Sequence, residues 1–440
     1  MIQLSPRVRP KALSRRSLLG ASAIALLGAA CARVTRLVEP PTIALRASGN
    51  PIRLWHAGGA IAASVMDRQL RPILGRRGGA IDLATLPLGD PEELFGRALG
   101  AAASGIGPDV LELPGEWLPE ARDRGVIAAF GSDTVFADGW VPGLRETGLW
   151  RGEALGVPAA PVFAQPFYND ALLRAAGLRE AGKATPPSTW AEYADVCKRV
   201  AAPEERWGAI LPTGPGDDLY LHVAQHAFAA GAAFPTPNGG IVSFEHEAMR
   251  AALIFLQDLL ATRGALPPDR PAFRLVESGK VGLWWASSLW ARNETAIGSA
   301  LSVGATLAPR RDHRGILLRG RHWCVGRFAS GDRARELIAA LSSDEASHAW
   351  CAGNGYPPAR QNNLDRAPYR GDTGPFASLW PPILAQLLET ANAPVTGFPG
   401  YRAVAGRLAG EFHLVLRNQK PIDVALAEGT AATRDILARS

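Results

Sequence analysis

The apolar residues in the first third of the chain recur at two spacings, which predict alternating strands and helices. Three short apolar runs are predicted to be strands: 51–56, 81–86 and 108–113. After the first run, Ile61, Val65 and Leu70 recur at helical spacing, which predicts an amphipathic helix. Asp90 and Pro91 mark the start of another helix, because Asp caps helix N-termini and Pro suits the first turn. This alternation predicts a mostly parallel sheet flanked by helices.

The stretch 156–193 carries the densest local signals in the sequence. Its apolar run 161–168 predicts a strand. Asn169 or Asp170 is expected to cap the short helix that follows, and Gly177 to end that helix. Ser188 or Thr189 then caps a second helix, with Glu192 placed as in a capping box.

The order of these elements resembles the most recognisable segment of the family 1 extracellular solute-binding proteins, the substrate-capturing subunits of sugar-type ABC importers. The family pattern is Gly-Val-Pro, a strand ending in Tyr-Asn, a helix ending in Ala-Gly-Leu, and Pro-Pro-x-Thr-Trp. The corresponding residues here are 156–158, 168–169, 176–178 and 186–190. The resemblance extends over about residues 50 to 365 and weakens over the tail. One mild departure is Gly282-Leu283, where the family pattern has Ala-Met.

The resemblance implies a two-lobed periplasmic binding protein fold (type II). Each lobe is a mostly parallel sheet flanked by helices, with a ligand cleft between the lobes. Chain crossings are expected near 157–160, 306–309 and 342–346. The expected N-terminal lobe is then 49–157 plus 306–345, and the C-terminal lobe is 158–305 plus 346–440.

The implied function is extracytoplasmic capture of a carbohydrate by hinge closure, followed by delivery to an ABC importer. The carbohydrate is a monosaccharide, an oligosaccharide or a polyol. The expected partners are this small-molecule ligand and the permease subunits of the transporter, and the chain is expected to be a monomer. No cofactor is expected.

Sugar rings have apolar faces and polar edges, so aromatic platforms and hydrogen-bonding side chains are expected around the ligand. The resemblance and the strand-end positions imply these contacts: Trp55, His56, Glu116, Trp117, Tyr168, Asn169, Trp285, Trp290, Trp323, Tyr356, Arg360 and Tyr401. Trp284 and Trp285 are neighbours on a strand and face opposite ways, so at most one of them meets ligand. His56 has an alternative role as an interior hydrogen-bonding residue. Trp207 is interpreted as a packing residue.

One alternative keeps the binding role but changes the ligand to an anionic solute, such as a sugar phosphate or sugar acid. Its candidate ligand residues are basic side chains: Arg319, Arg321, His322 and Arg360. A solvated loop is the competing interpretation of 319–322.

A second alternative is a glycoside-processing enzyme that uses Glu112 and Glu116 as paired carboxylates. The sequence carries no G-x-S-x-G and no H-E-x-x-H motif, and it has no His/Cys cluster at metal-ligand spacing. We therefore expect no enzyme activity and no metal site.

The net charge of +6 is concentrated at the N-terminus. Five basic residues and no acidic residue lie in 1–30, so the remaining chain is nearly neutral. Nucleic-acid binding needs a basic surface that tracks phosphates, and it is therefore not expected.

The first 31 residues read as a signal peptide, with a basic region, a short apolar core and small residues before Cys31. Arg15 and Arg16 make the signal twin-arginine-like. Cys31 stands where bacterial lipoproteins are lipidated, but Gly28 occupies the usual Leu position, so lipidation stays open. Residues 32–48 are interpreted as a tether. A periplasmic or extracytoplasmic location follows, with membrane attachment only through a lipid anchor.

The other cysteines differ in their expected roles. Cys197 is predicted to be a small buried residue in a helix. Cys324 and Cys351 are candidates for a disulfide in an oxidising compartment, although spacing alone does not decide the pairing.

Overall fold

The computed structural model describes ten segments of the chain: 51–78, 83–130, 139–202, 204–232, 247–266, 273–287, 301–329, 332–371, 377–389 and 392–439. They belong to one compact unit that starts at Pro51. Trp290 and Cys31, both named in the predictions, lie outside the described residues, as do the predicted leader and tether.

The strands are numbered in chain order: β1 (Ile52–Ala57), β2 (Leu83–Leu88), β3 (Val110–Pro114), β4 (Leu149–Trp150), β5 (Glu153–Ala154), β6 (Val157–Val162), β7 (Ala164–Asn169), β8 (Arg179–Glu180), β9 (Lys183–Ala184), β10 (Trp207–Ile210), β11 (Ala265–Leu266), β12 (Val281–Ser287), β13 (Val303–Ala305), β14 (Leu317–Val325) and β15 (Ala393–Pro394). The three strands predicted at the start of the chain correspond to β1, β2 and β3, shifted by one or two residues.

The helices are numbered likewise: α1 (Gly59–Val65), α2 (Arg71–Gly78), α3 (Pro91–Ala103), α4 (Leu118–Asp123), α5 (Asp170–Ala175), α6 (Trp190–Val200), α7 (Asp217–Ala229), α8 (Glu247–Thr262), α9 (Phe273–Glu277), α10 (Arg333–Leu341), α11 (Asp344–Asn354), α12 (Trp380–Leu387), α13 (Tyr401–Leu416) and α14 (Ile422–Leu437). A π-helical segment, Met66–Leu70, joins α1 to α2, and short 3₁₀ turns lie at Gly115–Trp117, Glu146–Gly148 and Gln361–Asn363.

Side chains cap the helices where the sequence indicates. Asp90 accepts a hydrogen bond from the Glu93 amide at 2.8 Å and starts α3. Asn169 accepts from the Leu172 amide at 3.1 Å and starts α5. Thr189 caps α6, while Glu192 accepts the Ser188 amide at 2.7 Å in a capping box. These local predictions are confirmed, because they depend only on neighbouring residues.

The first sheet has the strand order β15-β14-β3-β1-β2, with β6 also paired to β14. Strand β1 is parallel to β2 and to β3, as predicted. Strand β14 runs antiparallel to β3 and β6, with Trp323 opposite Glu112 on β3. The sheet is therefore mixed, and its central strand β3 is buried along its whole length.

The second sheet has the strand order β11-β10-β12-β7-β13. Strand β10 is parallel to β11 and β12, whereas β7 is antiparallel to β12 and β13. Helices α7 and α8 pack on each other beside this sheet, and α13 packs on both of them.

The chain passes between the two sheets at three places. It leaves the first sheet at the end of β6 and enters β7 through Phe163, and it returns over 306–316 between β13 and β14. The third passage is 395–400, between β15 and α13.

Two of the expected crossings are therefore displaced. Strand β6 pairs with β14, which keeps 157–162 in the first sheet. Helix α11 packs on α1 and β6, which keeps 344–354 beside that sheet instead of in the expected C-terminal lobe. The division into two lobes that move independently stays a prediction.

The three cysteines among the described residues are buried free thiols. Cys324 Sγ lies 3.6 Å from the His322 carbonyl oxygen, and Cys351 Sγ donates to the Ala159 carbonyl at 3.3 Å. The disulfide considered for Cys324 and Cys351 is thus not formed. Within the segments described, no helix combines the length and apolarity that a membrane crossing requires.

Candidate functional site

Two adjoining cavities lie between the sheets. The larger has a volume of about 750 Å³, and the smaller has a volume of about 200 Å³. The two cavities share four lining residues and therefore form one cleft: Val162, Asp217, Ser287 and Arg319. The larger volume falls within the range of roughly 300–1,000 Å³ that is typical of small-molecule sites.

Arg319 is the centre of a charged wall on the side of the first sheet. Its Nη1 donates to Glu116 Oε1 at 3.1 Å and to Asp217 Oδ2 at 3.3 Å. Glu116 belongs to the 3₁₀ turn after β3, and Asp217 starts α7 beside the second sheet. One guanidinium therefore joins carboxylates from both sides of the cleft.

Glu116 is the most deeply buried member of this group. Its side chain is 2% exposed, and its Oε2 atom has no hydrogen-bond partner in the protein. Burial raises the pKa of the Glu116 carboxyl, and the Arg319 charge opposes part of that rise. The Glu116 carboxylate therefore lies at the base of the cavity wall, behind the atoms that a ligand can touch.

Arg321 lies two residues further along β14 and faces the same cavity. Its guanidinium forms two contacts of 3.4 Å with the carboxylate of Glu112, whose side chain is fully buried. The Ala57 amide donates to the same carboxylate at 3.2 Å. This pair joins β14 to the middle of β3 and, through Ala57, to the end of β1, and its charges compensate each other.

His322 points to the opposite face of β14 and is fully buried. Four glycines enclose its side chain so closely that an added Cβ would come within 3.0 Å of it: Gly115, Gly148, Gly156 and Gly320. Burial lowers the pKa of His322 to about 3, so the ring is neutral at physiological pH. Gly156, the glycine of the Gly-Val-Pro signature, is thus required by the packing around His322.

The second sheet and α7 form the other wall of the cleft. Trp285 is half-buried and lines the larger cavity, whereas Trp284 is 1% exposed and stacks on Phe167. The two rings face opposite ways, as strand alternation predicts. Ile210 and Leu221 extend the apolar surface beside Trp285.

Polar side chains interrupt this apolar wall. Thr213 and His222 are almost fully buried and line the cavity, and Thr213 Oγ1 and His222 Nε2 have no partner in the protein. Burial and the neighbouring His226 lower the pKa of His222 well below its ordinary value. Gln225 also lines the cavity, but it bridges the Gly315 carbonyl and the Leu317 amide at 2.9 and 2.8 Å.

Of the residues expected to contact ligand, the structure brings four to the cleft wall: Glu116, Trp117, Trp285 and Tyr356. Three other expected residues do not line the cleft but make contacts within the protein: Asn169, Tyr168 and Tyr401. Asn169 caps α5, and Tyr168 covers Gly304 in the second sheet. Tyr401 is 2% exposed and packs edge-on against Tyr220.

The remaining expected contacts lie in the first sheet and its helices. Trp323 is 1% exposed and packs on Trp350, and His56 is fully buried edge-on to the same ring. Arg360 pairs with Asp344 at 2.9 Å. Trp55 is half-buried and packs against the core. None of these side chains lines the cleft as described, and their direct contact with ligand stays a prediction.

Several lining residues were missed from the sequence, in particular Thr213, Asp217 and His222. They lie around the loop Gly214-Pro215-Gly216, whose turn residues precede the helix α7. This Gly-Pro-Gly-Asp-Asp run is a turn followed by an acidic helix start, and it was the available signal. Within the described residues, no group of three or more His, Cys, Asp or Glu is arranged to hold a metal ion.

The comparisons with known proteins agree with this architecture. The model of the bacterial extracellular solute-binding protein family matches residues 78–374. No curated protein shows a significant sequence match.

Three of the similar solved structures illustrate the fold. The cyclic alpha-maltosyl-1,6-maltose binding protein from Arthrobacter globiformis has 18% identity and a TM-score of 0.74, with 89% of this chain and 100% of that chain covered. The sugar-binding protein MalE from Xanthomonas citri has 19% identity and a TM-score of 0.74, with 89% and 98% covered. The maltotriose binding protein of Thermus thermophilus has 15% identity and a TM-score of 0.69, with 88% and 100% covered.

Proposed function

Because this chain belongs to the bacterial extracellular solute-binding protein family, we propose that it captures a carbohydrate in the cleft and delivers it to an ABC importer. The proteins of similar fold include binders of cyclic alpha-maltosyl-1,6-maltose and of maltotriose. A monosaccharide, an oligosaccharide or a polyol has the mixed polar and apolar surface that the two walls of this cleft complement.

The observation that carries the proposal is that Trp285 lines the cleft together with polar side chains. Its half-buried ring offers an apolar platform for a sugar face. Three buried polar groups without protein partners lie around the same cleft: Glu116 Oε2, Thr213 Oγ1 and His222 Nε2. These three atoms are shielded from solvent, but the side chains that carry them, with Asp217 and Ser287, form the polar part of the lining, which suits the hydroxyl groups of a carbohydrate.

The structure gives little support to the anionic-solute alternative. Arg321 is compensated by Glu112, and Arg319 is shared between Glu116 and Asp217. Arg360 is paired with Asp344, and His322 is enclosed on the far face of β14. These four basic residues therefore offer no uncompensated charge to an anion.

The glycosidase alternative also lacks support. Glu116 lines the cleft, but Glu112 is fully buried and held by Arg321 and the Ala57 amide. A carboxylate pair that flanks a glycosidic bond needs both groups at the substrate. The family and the similar structures are binding proteins.

Binding by hinge closure is part of the proposal. Three passages join the sheets, and a ligand that contacts both walls would stabilise the closed arrangement, which the permease subunits then recognise. The proposal includes export through the twin-arginine-like leader, optional lipid attachment at Cys31, and action as a monomer.

A thermal-shift screen of the purified protein against neutral sugars, polyols, sugar acids and sugar phosphates tests this function. A ligand at a hundred times its dissociation constant adds about 2.7 kcal/mol to the free energy of unfolding. We expect a neutral sugar or polyol to raise the melting temperature of the wild type and of Trp207→Ala, but not of Trp285→Ala. Trp207 starts β10 outside the cavity lining, so it is the matched control. No response to any carbohydrate would contradict the proposal.

A further inference from the structure

The cleft wall carries more carboxylates than the basic side chains beside it can balance. Arg321 and Glu112 compensate each other, which leaves Arg319 facing Glu116, Asp217 and Asp218. In the part of the chain that the structure describes, no further Lys or Arg lines either cavity. The neutral His222 ring adds no charge. The net charge at this wall is therefore negative.

Two of these carboxylates converge on a single point. Glu116 Oε1 and Asp217 Oδ2 lie 3.1 and 3.3 Å from the same atom, Arg319 Nη1. Glu116 is 2% exposed, and its Oε2 atom has no partner in the protein. Asp217 is 42% exposed at the mouth of the same cavity. The two carboxylates thus share one cationic donor, and the exposed carboxylate of Asp217 is open to a second.

Burial is the main cause of a raised pKa in both carboxyls, and the neighbouring carboxylates add to it. Partial desolvation of the Asp217 carboxyl raises its pKa, and Asp218 and Glu92 raise it further against the effect of Arg319. Burial likewise raises the pKa of Glu116, and Asp217 contributes to the rise. A second cation at this point would relieve the repulsion between the carboxylates.

We propose that the natural solute is a carbohydrate bearing a protonated amine, and that its ammonium group binds Asp217 beside Glu116 and Arg319. This inference rests on the proposed carbohydrate function and names the solute class. An ammonium group donates three hydrogen bonds, and charge-assisted bonds to carboxylates are about twice as strong as neutral ones. The positive N-terminus of α7 opposes the cation, but its partial charge of about half a unit is smaller than the net negative charge of the wall.

Isothermal titration calorimetry of the purified full chain against matched sugar trios tests the inference. Within each trio the ring stereochemistry is shared, but the amino sugar carries an ammonium at C2 and the acid carries a carboxylate at C6: glucosamine, glucose and glucuronate, or galactosamine, galactose and galacturonate. We expect the amino sugar of at least one trio to bind tenfold or more tightly than its neutral partner, and the acid to bind weakest. Because the preference is electrostatic, raising the salt concentration should reduce it.

Charge-removing variants locate the effect. Asp217→Asn should bring the ratio of amino-sugar to neutral-sugar affinity close to one, and Asp218→Asn should lower it less, since Asp217 is the residue that pairs with Arg319 at the proposed ammonium position. Asp195→Asn removes an exposed carboxylate on α6 and should leave the ratio unchanged. Thermal unfolding of each variant shows whether it is folded.

The outcomes separate this inference from the proposed function. Binding of neutral sugars with equal or weaker binding of every amino sugar would overturn the inference and leave the proposed function standing. An amino-sugar preference that persists in Asp217→Asn would also overturn it. No binding by any member of either trio would overturn the inference, whereas the wider carbohydrate screen decides the proposed function.

Discussion

The two walls of the cleft are built on different physical principles. On the wall of the first sheet, Glu116, Arg319 and Arg321 are held by ion pairs with one another or with buried partners. On the wall of the second sheet, Trp285 and Ile210 are held by strand alternation and by packing on the core behind them. The charged wall therefore depends on electrostatic balance, and the apolar wall depends on side-chain volume.

Within the charged wall, two arginines that are two residues apart differ in the exposure of their ion-pair partners. Arg319 and Arg321 face the same side of β14 but have different partners. Arg321 pairs with Glu112, whose side chain is fully buried. Arg319 is 23% exposed and pairs with Glu116 and with the solvent-accessible Asp217. We infer that Arg321 is chiefly structural and that Arg319 is available to ligand. The following predictions test this division and that between the walls.

The largest effect is expected for Arg321→Met, which removes the charge partner of Glu112. A buried carboxylate left unpaired costs about 3–5 kcal/mol of stability. Denaturant unfolding measures the loss. Arg76→Met is the control, because its partner Glu345 is 47% exposed and surface pairs contribute about 0–1 kcal/mol. Equal losses in the two variants would refute the structural role of Arg321.

A smaller effect is expected for Gly156→Ala, which alters the packing behind the charged wall. The added Cβ would lie 2.7 Å from His322 Cβ and 3.0 Å from Cys324 Sγ. Overpacking of this kind costs about 1–3 kcal/mol. Gly406→Ala on α13 meets no atom within 4 Å and should stabilise the protein by about 0.5–1 kcal/mol. A neutral or stabilising Gly156→Ala would show that the His322 pocket is not tightly packed.

The smallest of these effects is a pH dependence of the folding stability, caused by His226, which is buried behind the apolar wall. Burial lowers the pKa of His226 to about 4, below its unfolded-state value, and its ring packs edge-on to Trp285. The unfolded state then binds more protons as the pH falls below about 6.5, so acidification destabilises the native state. Between pH 7 and 5.5 His226 should account for roughly 1 kcal/mol of lost stability.

Chemical unfolding of wild type and His226→Gln at the two pH values measures this contribution. The variant should lose less stability on acidification than the wild type does. An identical loss in both proteins would mean that His226 is accessible to protons in the native state.

The local features of the fold could be predicted from the sequence because they depend on neighbouring residues. The caps at Asp90, Asn169 and Thr189 and the opposite orientations of Trp284 and Trp285 are examples. Features set by distant contacts could not be predicted in the same way. The passage between sheets at 395–400 depends on where α11 and α13 pack, which no local signal encodes.

The site was predicted in part for the same reason. Glu116 and Trp117 follow β3, Trp285 lies in β12, and Tyr356 follows α11; all four line the cleft. Trp323 has the composition of a contact residue, but the pairing of β14 with β3 and β6 buries it in the core. Asp217 and His222 were missed because a helix start beside the cleft is indistinguishable in sequence from any other acidic helix start.

The most direct test of the account is calorimetric titration of the best carbohydrate from the screen into wild type, Trp285→Ala and Arg319→Met. If the two walls hold the ligand together, each variant should bind a neutral carbohydrate at least tenfold more weakly than the wild type does while remaining folded. Unchanged affinity in either variant would contradict the account, because the corresponding wall would then take no part in binding.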